Sequence, residues 1–352
     1  MRKKHYTKLN SIIKIILLVL CLLLVTGCAK YKSPVSKSGV YFDTLISVTL
    51  YEKNSSKLID ECFLLAEKYE NLFSKTKEGS DVYKVNHSNS KWVKLDSETY
   101  SLIKRSLYYE DLSGGRFSVM CGALTELWNI NAKSDAINNG KSISLPTSAK
   151  ISSARSLCGK DTIELDDSTE SVRITVNGAK LDLGAVAKGY IADKIKEFLI
   201  SNGVTSGIIE LGGNVLLIGE NPLKEDRFYN IGISAPFSDD KESTDIITSV
   251  KEKDTSIVTS GNYQRYFEYD GKIYHHIIDI TTGYPVDNAL NSVSVITKSS
   301  LDADALSTVL FLLGKEKGAK LLDSLSSNND YSAIFIDNEN NITFYPQTES
   351  LP

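Results

Sequence analysis

This chain is poor in the residues that build thiol, imidazole and nucleic-acid sites. Its 352 residues hold five cysteines, four histidines and two tryptophans. No two cysteines form a C-x-x-C pair, which argues against a thiolate metal site. Cys21 and Cys28 belong to the leading segment, so Cys62, Cys121 and Cys158 remain, enough for one disulfide at most. Cys62 falls on the apolar stripe of an expected helix, where core packing accounts for it. The formal net charge is −4 and no lysine or arginine cluster follows the first residues, which excludes nucleic acid as the expected partner. There is no internal repeat, no low-complexity tract and no proline-rich linker after residue 40. A solenoid or a string of small domains is thereby excluded. The remaining length suits a single compact α+β body, or two lobes with a site between them.

What the chain does have begins with an address. Arg2, Lys3, Lys4, Lys8 and Lys14 precede the apolar residues Ile15 to Val25, and Thr26, Gly27 and Cys28 follow. That run is too short to span a bilayer comfortably and has the organisation of an export signal. VTGC resembles a bacterial lipobox, which implies cleavage after residue 27, a lipid on Cys28 and attachment to the outer face of the cell membrane. Residues 28 to 39 are polar and suit a tether. Removing residues 1 to 27 takes away five positive charges and no acids, so the mature charge becomes −4 − 5 = −9.

Residues 40 to 346 carry the fold. VYFDTLISVTLY, residues 40 to 51, reads as a strand, and from Ser56 to Phe73 apolar residues recur at the spacing of a helix. Ser97 is placed to cap a second helix ending near Leu112 before Gly114 and Gly115, and a third follows Pro146 and Thr147. TIEL and VRITV predict a hairpin. KLDLG reads as a strand end that turns into a helix from Ala185 to Asn202. Seven short strand candidates follow, then helices from about Asp302 to Leu313 and onward to Leu325, then two last strands. Hairpins joined to helices without βαβ alternation predict mixed, mainly antiparallel sheets.

Four stretches could do chemistry. In LDLGAVAKGY, residues 181 to 190, a helix start aims backbone N–H groups at an anion, with Lys188 in reach of it and Asp182 of the wrong sign. A nucleotide with a metal ion would reconcile the two signs; a surface ion pair is the alternative. ELGGN, residues 210 to 214, suits a tight turn between strands. In HHIIDITTGYP, residues 275 to 285, strand alternation sets His276, Ile278 and Ile280 on one face and His275, Ile277 and Asp279 on the other. In LDADALSTVLFLLG, residues 301 to 314, Asp304 and Thr308 share a helix face and could offer two hard oxygens to Mg²⁺, or Asp304 could merely complement the helix dipole.

In this order, LDLGAVAKGY, LGGN, TSGNYQRYF, HIIDITTGYP and ADALSTVLFLLG resemble the ApbE family of flavin transferases. YFDTLISVTLY, LFSKTKEGSDVYKVN and GGRFSVMCGALTELWNI match it more loosely. The resemblance implies transfer of FMN from FAD to a Thr or Ser hydroxyl of an exported or membrane redox protein, with Mg²⁺ required and AMP released. It assigns FAD contacts to Phe42, Trp128, Asn129, Ile130, Asp182, Lys188 and Ile277. It gives the metal to the carbonyl of Ala185 with the side chains of Asp304 and Thr308, and the essential histidine to His276. Two alternatives share the site: an FAD pyrophosphatase giving FMN and AMP, and a non-catalytic flavin-binding lipoprotein. The chain departs from the family at Ile280, where a proline is usual, at Asn262, where an aspartate is, and at Asp43 and Asn129, where glycines are. The flavin-stacking tyrosine of some members has no clear equivalent in SKTKEG.

Overall fold

The computed structural model describes residues 33–237, 245–325 and 331–346. The expected export segment 1 to 27 and Cys28 lie outside the described residues. Eight antiparallel strands form the main sheet, in the spatial order Val35–Tyr41, Thr44–Leu50, Ser206–Leu211, Asn214–Gly219, Ser256–Gly261, Leu290–Thr297, Ser332–Asp337 and Ile342–Tyr345. Every residue of Leu290–Thr297 is buried, because both faces of the sheet are covered there. Helices Ser56–Phe73, Ala187–Ser201 and Ser300–Leu313 cover one face and make the larger core, including Ile59, Ile191, Ile195 and Val309. The hairpin Tyr229–Ser234 and Ile246–Glu252 covers the other, packing Tyr229, Ile233 and Val250 on Leu217, Ile257 and Ile334. A third cluster joins Leu124, Trp128 and Ile151 to Phe267, Ile278 and Ile280. The α+β expectation, with mainly antiparallel sheets in one compact body, holds. Among the described residues no helix is long and apolar enough to cross a membrane.

Three local expectations need correction. Residues 40 to 51 are not one strand but parts of a hairpin, Val35–Tyr41 and Thr44–Leu50, turned at Phe42 and Asp43 with φ of 53° and 54°. Two consecutive left-handed residues make the turn a hairpin's twist requires, and a Phe-Asp pair carries none of the usual glycine signal for it. Asp43 stands where the family often has glycine, and its backbone shows why glycine suits that place.

The second correction concerns KLDLG, which forms no strand. Its backbone bonds go elsewhere: the N–H of Asp182 to the carbonyl of Val119 at 2.7 Å, and that of Gly122 to the carbonyl of Lys180 at 3.0 Å. The Asn86 amide accepts from the N–H of Leu181 at 2.7 Å and donates to its carbonyl at 2.9 Å. A side-chain amide thus satisfies both groups that a neighbouring strand would have bonded. The third concerns His276, where the backbone bends between strand Lys272–His275 and the short pair Ile278–Asp279. Period-two alternation ends at that bend.

Candidate functional site

Two helix starts meet at the centre of the site. Helix Ala187–Ser201 begins beside helix Ser300–Leu313, and Gly189 is the residue that lets them touch. A Cβ there would lie 2.3 Å from the carbonyl oxygen of Ser300 and 2.7 Å from Cβ of Asp304, so only glycine fits. The N–H of Gly189 donates to Asp304 Oδ2 at 2.8 Å. In return, Asp193 accepts from the N–H groups of Ser300 at 2.8 Å and Leu301 at 3.0 Å. The anion expected at the helix start of LDLGAVAKGY is thus partly supplied by the protein itself, as the Asp304 carboxylate.

In front of this junction lies a cavity of about 430 Å³. Asn129, Ile130, Asp182, Ala185, Lys188, His276, Ile277, Asp304 and Thr308 all line it. Segments more than 170 residues apart in the chain therefore converge on one space. Asn129 is left-handed, with φ 41° and ψ 57°, at the joint between helices Gly122–Trp128 and Ile130–Asn138. Asparagine tolerates that conformation better than other side chains, so it stands in for a glycine there.

Phe42 and Trp128 are placed differently. Phe42 sits at the hairpin turn, its N–H on Glu70 Oε1 at 2.9 Å, and is not among the residues lining the cavity. Trp128 is buried in the third cluster, stacked on Tyr274, with its indole N–H donating to the carbonyl of Gly283 at 2.8 Å. It walls a second hollow with Tyr274 and Tyr284 rather than the first.

The two neighbouring histidines do different things. His275 is buried, its Nε2 2.9 Å from the carbonyl of Val286 and its Nδ1 accepting from the N–H of Ile277 at 3.2 Å. Both ring nitrogens are used in holding the chain together. His276 reaches the cavity. Its Nδ1 is 3.3 Å from the carbonyl of Arg265, and a carbonyl only accepts, so the proton sits on Nδ1 and Nε2 keeps its lone pair. Burial, followed by the charges of His275, Arg265 and Lys188, pushes its pKa down to about 3. The imidazole is neutral at physiological pH, and Nε2 is its free acceptor on the cavity. The departure at Ile280 has a local use: its N–H, which a proline would lack, donates to the carbonyl of Arg116 at 3.2 Å.

Asp304, Thr308 and Ala185 all line the cavity, and a carboxylate, a hydroxyl and a backbone carbonyl are oxygen donors of the kind that suits Mg²⁺. Lys188 Nζ donates to Asp304 Oδ1 at 3.2 Å, long for a charge-assisted hydrogen bond. The Thr308 hydroxyl shares a hydrogen bond with that of Ser260 at 3.1 Å. Among the described residues no cluster of three His, Cys, Asp or Glu side chains could hold a metal. Mg²⁺ does not ask for one, because it keeps waters and substrate phosphates in its shell.

Several lining residues lie in segments that resemble the family without being singled out by the sequence. Lys75, Thr125, Ser260, Gln264 and Arg265 face the cavity, and Lys75 forms an ion pair with Asp182 at 2.6 Å. Thr125 Oγ1 lies 2.9 Å from the same Asp182 oxygen, and the N–H of Gly184 donates to the other at 3.0 Å. Burial alone would raise the pKa of Asp182, but Lys75 outweighs it and the carboxyl sits below its ordinary value. A lysine in the polar run SKTKEGS reads as solvated loop; the acidic partner 107 residues away is invisible until the chain folds.

A family model, described as the ApbE family, matches residues 42–335. The chain is 36% identical over 302 residues to the FAD:protein FMN transferase of Klebsiella pneumoniae strain 342, covering 86% of this chain and 88% of that one. It is 33% identical over 303 residues to the FAD:protein FMN transferase of Treponema pallidum strain Nichols, covering 82% and 81%. Among solved structures, the ApbE protein of Thermotoga maritima superposes with a TM-score of 0.78 at 29% identity, over 88% of this chain and 96% of that one. The apo flavinyl transferase ApbE of Pseudomonas stutzeri gives 0.74 at 26% identity, over 90% and 95%. With the match running from the first hairpin's turn into the sheet's penultimate strand, the chain belongs to the ApbE family.

Proposed function

We propose that this protein transfers FMN from FAD to a Thr or Ser hydroxyl of an acceptor protein and releases AMP. The observation that carries the reading is the convergence of His276, its Nδ1 against the carbonyl of Arg265, with Lys188, Asp304 and Thr308 on one cavity. Attack by the acceptor hydroxyl forms a new P–O bond to the FMN phosphate as the P–O bond to AMP breaks, and the hydroxyl proton passes to His276 Nε2. Lys188 stabilises negative charge on the phosphate oxygens. Asp304, Thr308 and the carbonyl of Ala185 would hold Mg²⁺, whose contribution is charge neutralisation at the pyrophosphate. The family relatives named as FAD:protein FMN transferases support the reading.

Lipid attachment at Cys28 would place the reaction on the outer face of the cell membrane, on exported or membrane redox proteins. The test is direct. Purified protein is incubated with FAD, Mg²⁺ and an exported protein carrying an acceptor threonine, and the denatured products are examined for covalent flavin fluorescence. A labelled acceptor band that is lost with His276→Gln supports transfer. FMN and AMP without a labelled band indicate hydrolysis and overturn it, as does FAD binding without either product.

A further inference from the structure

We propose that Lys75 contacts the substrate at this wall of the cavity, as a second phosphate-directed cation beside Lys188. The inference rests on FAD being the ligand. Asp182 is largely occupied: Oδ1 accepts from the N–H of Gly184 at 3.0 Å, and Oδ2 from Lys75 at 2.6 Å and Thr125 at 2.9 Å. A carboxylate so occupied orients its donors and has little left to offer a ligand. An ammonium group has three N–H donors. Lys75 spends one on Asp182 and points a second at Thr125 Oγ1, 3.4 Å away, with no further partner among the described residues. Its side chain remains about one-third exposed, on the cavity.

The loop that carries Lys75 is built to hold it there. The Ser80 hydroxyl donates to the carbonyl of Ser74, and the Ser74 hydroxyl accepts from the N–H groups of Thr76 at 3.3 Å and Lys77 at 3.1 Å. Residues 74 to 80 therefore close on themselves directly after helix Ser56–Phe73. The charge balance points to an anion. Lys75, Lys188 and Arg265 line the cavity against Asp182 and Asp304, three cations against two carboxylates with His276 neutral. A pyrophosphate completes that set, whereas an uncharged ring would leave the excess uncompensated. Cys121 also lines the cavity, and Glu126, whose charge reaches Lys75, is engaged by Lys180.

The experiment measures FAD affinity by flavin fluorescence on the full chain, at low and high ionic strength. Lys75→Met is expected to weaken binding about ten- to a hundredfold, the scale of a lost hydrogen bond to a charged group. It should also flatten the salt dependence, since one cation no longer meets the ligand. Lys75→Arg should recover most of the affinity, and Lys75→Met with Asp182→Asn should bind about as poorly as Lys75→Met alone. Unchanged or tighter binding by Lys75→Met would mean that Lys75 only competes for Asp182, and overturns the proposal. A lower melting temperature with unaltered affinity and salt slope overturns it too. If the unsubstituted protein binds no FAD, the proposed function itself fails, and this inference with it.

Discussion

Asp193 and Asp304 stand in a reciprocal relation: each carboxylate accepts N–H groups from the first turn of the helix that carries the other. Helix starts leave N–H groups unpaired, and here two helices satisfy each other's. One of the two carboxylates also faces the cavity, so packing and function share a residue.

Asp193→Ala is expected to destabilise the protein by about 1–3 kcal/mol, because the N–H groups of Ser300 and Leu301 lose their acceptor. Asp193 is not among the residues lining the cavity, so any fall in transfer rate reports displacement of Asp304 and Thr308. Urea unfolding followed by circular dichroism measures the first effect. A midpoint equal to that of the unsubstituted protein would show that the cap contributes nothing.

Asp304→Asn keeps an oxygen for the N–H of Gly189 but removes the charge that faces Lys188. The fold should survive, with transfer slowed roughly a hundredfold or more and its response to added Mg²⁺ lost. Steady-state rates across a Mg²⁺ titration decide the matter. Unsubstituted rates in this variant would remove Asp304 from the metal assignment.

His276 has a definite pH signature. An unfolded chain holds histidine near its ordinary value of about 6.5, whereas in the folded protein burial pushes the His276 value down to about 3. Between those values the unfolded state binds more protons, so stability falls as the pH drops through that window. His275, also lowered by burial, contributes in the same direction. His276→Gln should therefore reduce the acid sensitivity of unfolding as the pH falls from about 6.5 toward 4, without abolishing it. The same variant should cost about a hundredfold or more in transfer rate if His276 is the base. Identical acid slopes in both proteins would contradict the burial of a neutral ring.

Cys28→Ala is expected to release the protein from the membrane fraction of cells and to end incorporation of labelled fatty acid. Purified and assayed in solution, that variant should transfer FMN at the unsubstituted rate. Continued recovery with membranes would mean that another part of the chain holds it there.

How much of this could be read from the residues alone depends on the range of the interaction. Helix Ser56–Phe73 is legible to the residue because its apolar spacing is local. The order of the glycine turn, the histidine segment and the Asp304 helix is legible as a resemblance, and these segments do meet at one cavity. Lys75 is not legible, because its meaning comes from Asp182, far away in the chain. Asp193 reads as one more polar residue on a helix surface until a second helix start arrives against it. Gly189 is a different case. Within a predicted helix it looks like a weak point, yet the close approach of Ser300 makes it the only residue that fits.

The first strand also sets a distance. The chain enters the fold at Val35, at one end of the outermost strand, and the hairpin turns at Phe42 and Asp43 at the other. Just beyond that turn, Thr44 packs against Gly212, which lines the cavity. Seven extended residues, roughly 20 Å at strand spacing, therefore separate the point where any upstream tether pulls from the neighbourhood of the cavity. The strand works as a ruler. Lengthening the tether would change how far the protein roams, whereas the stand-off between the entry point and the cavity is set by paired backbone and would stay the same.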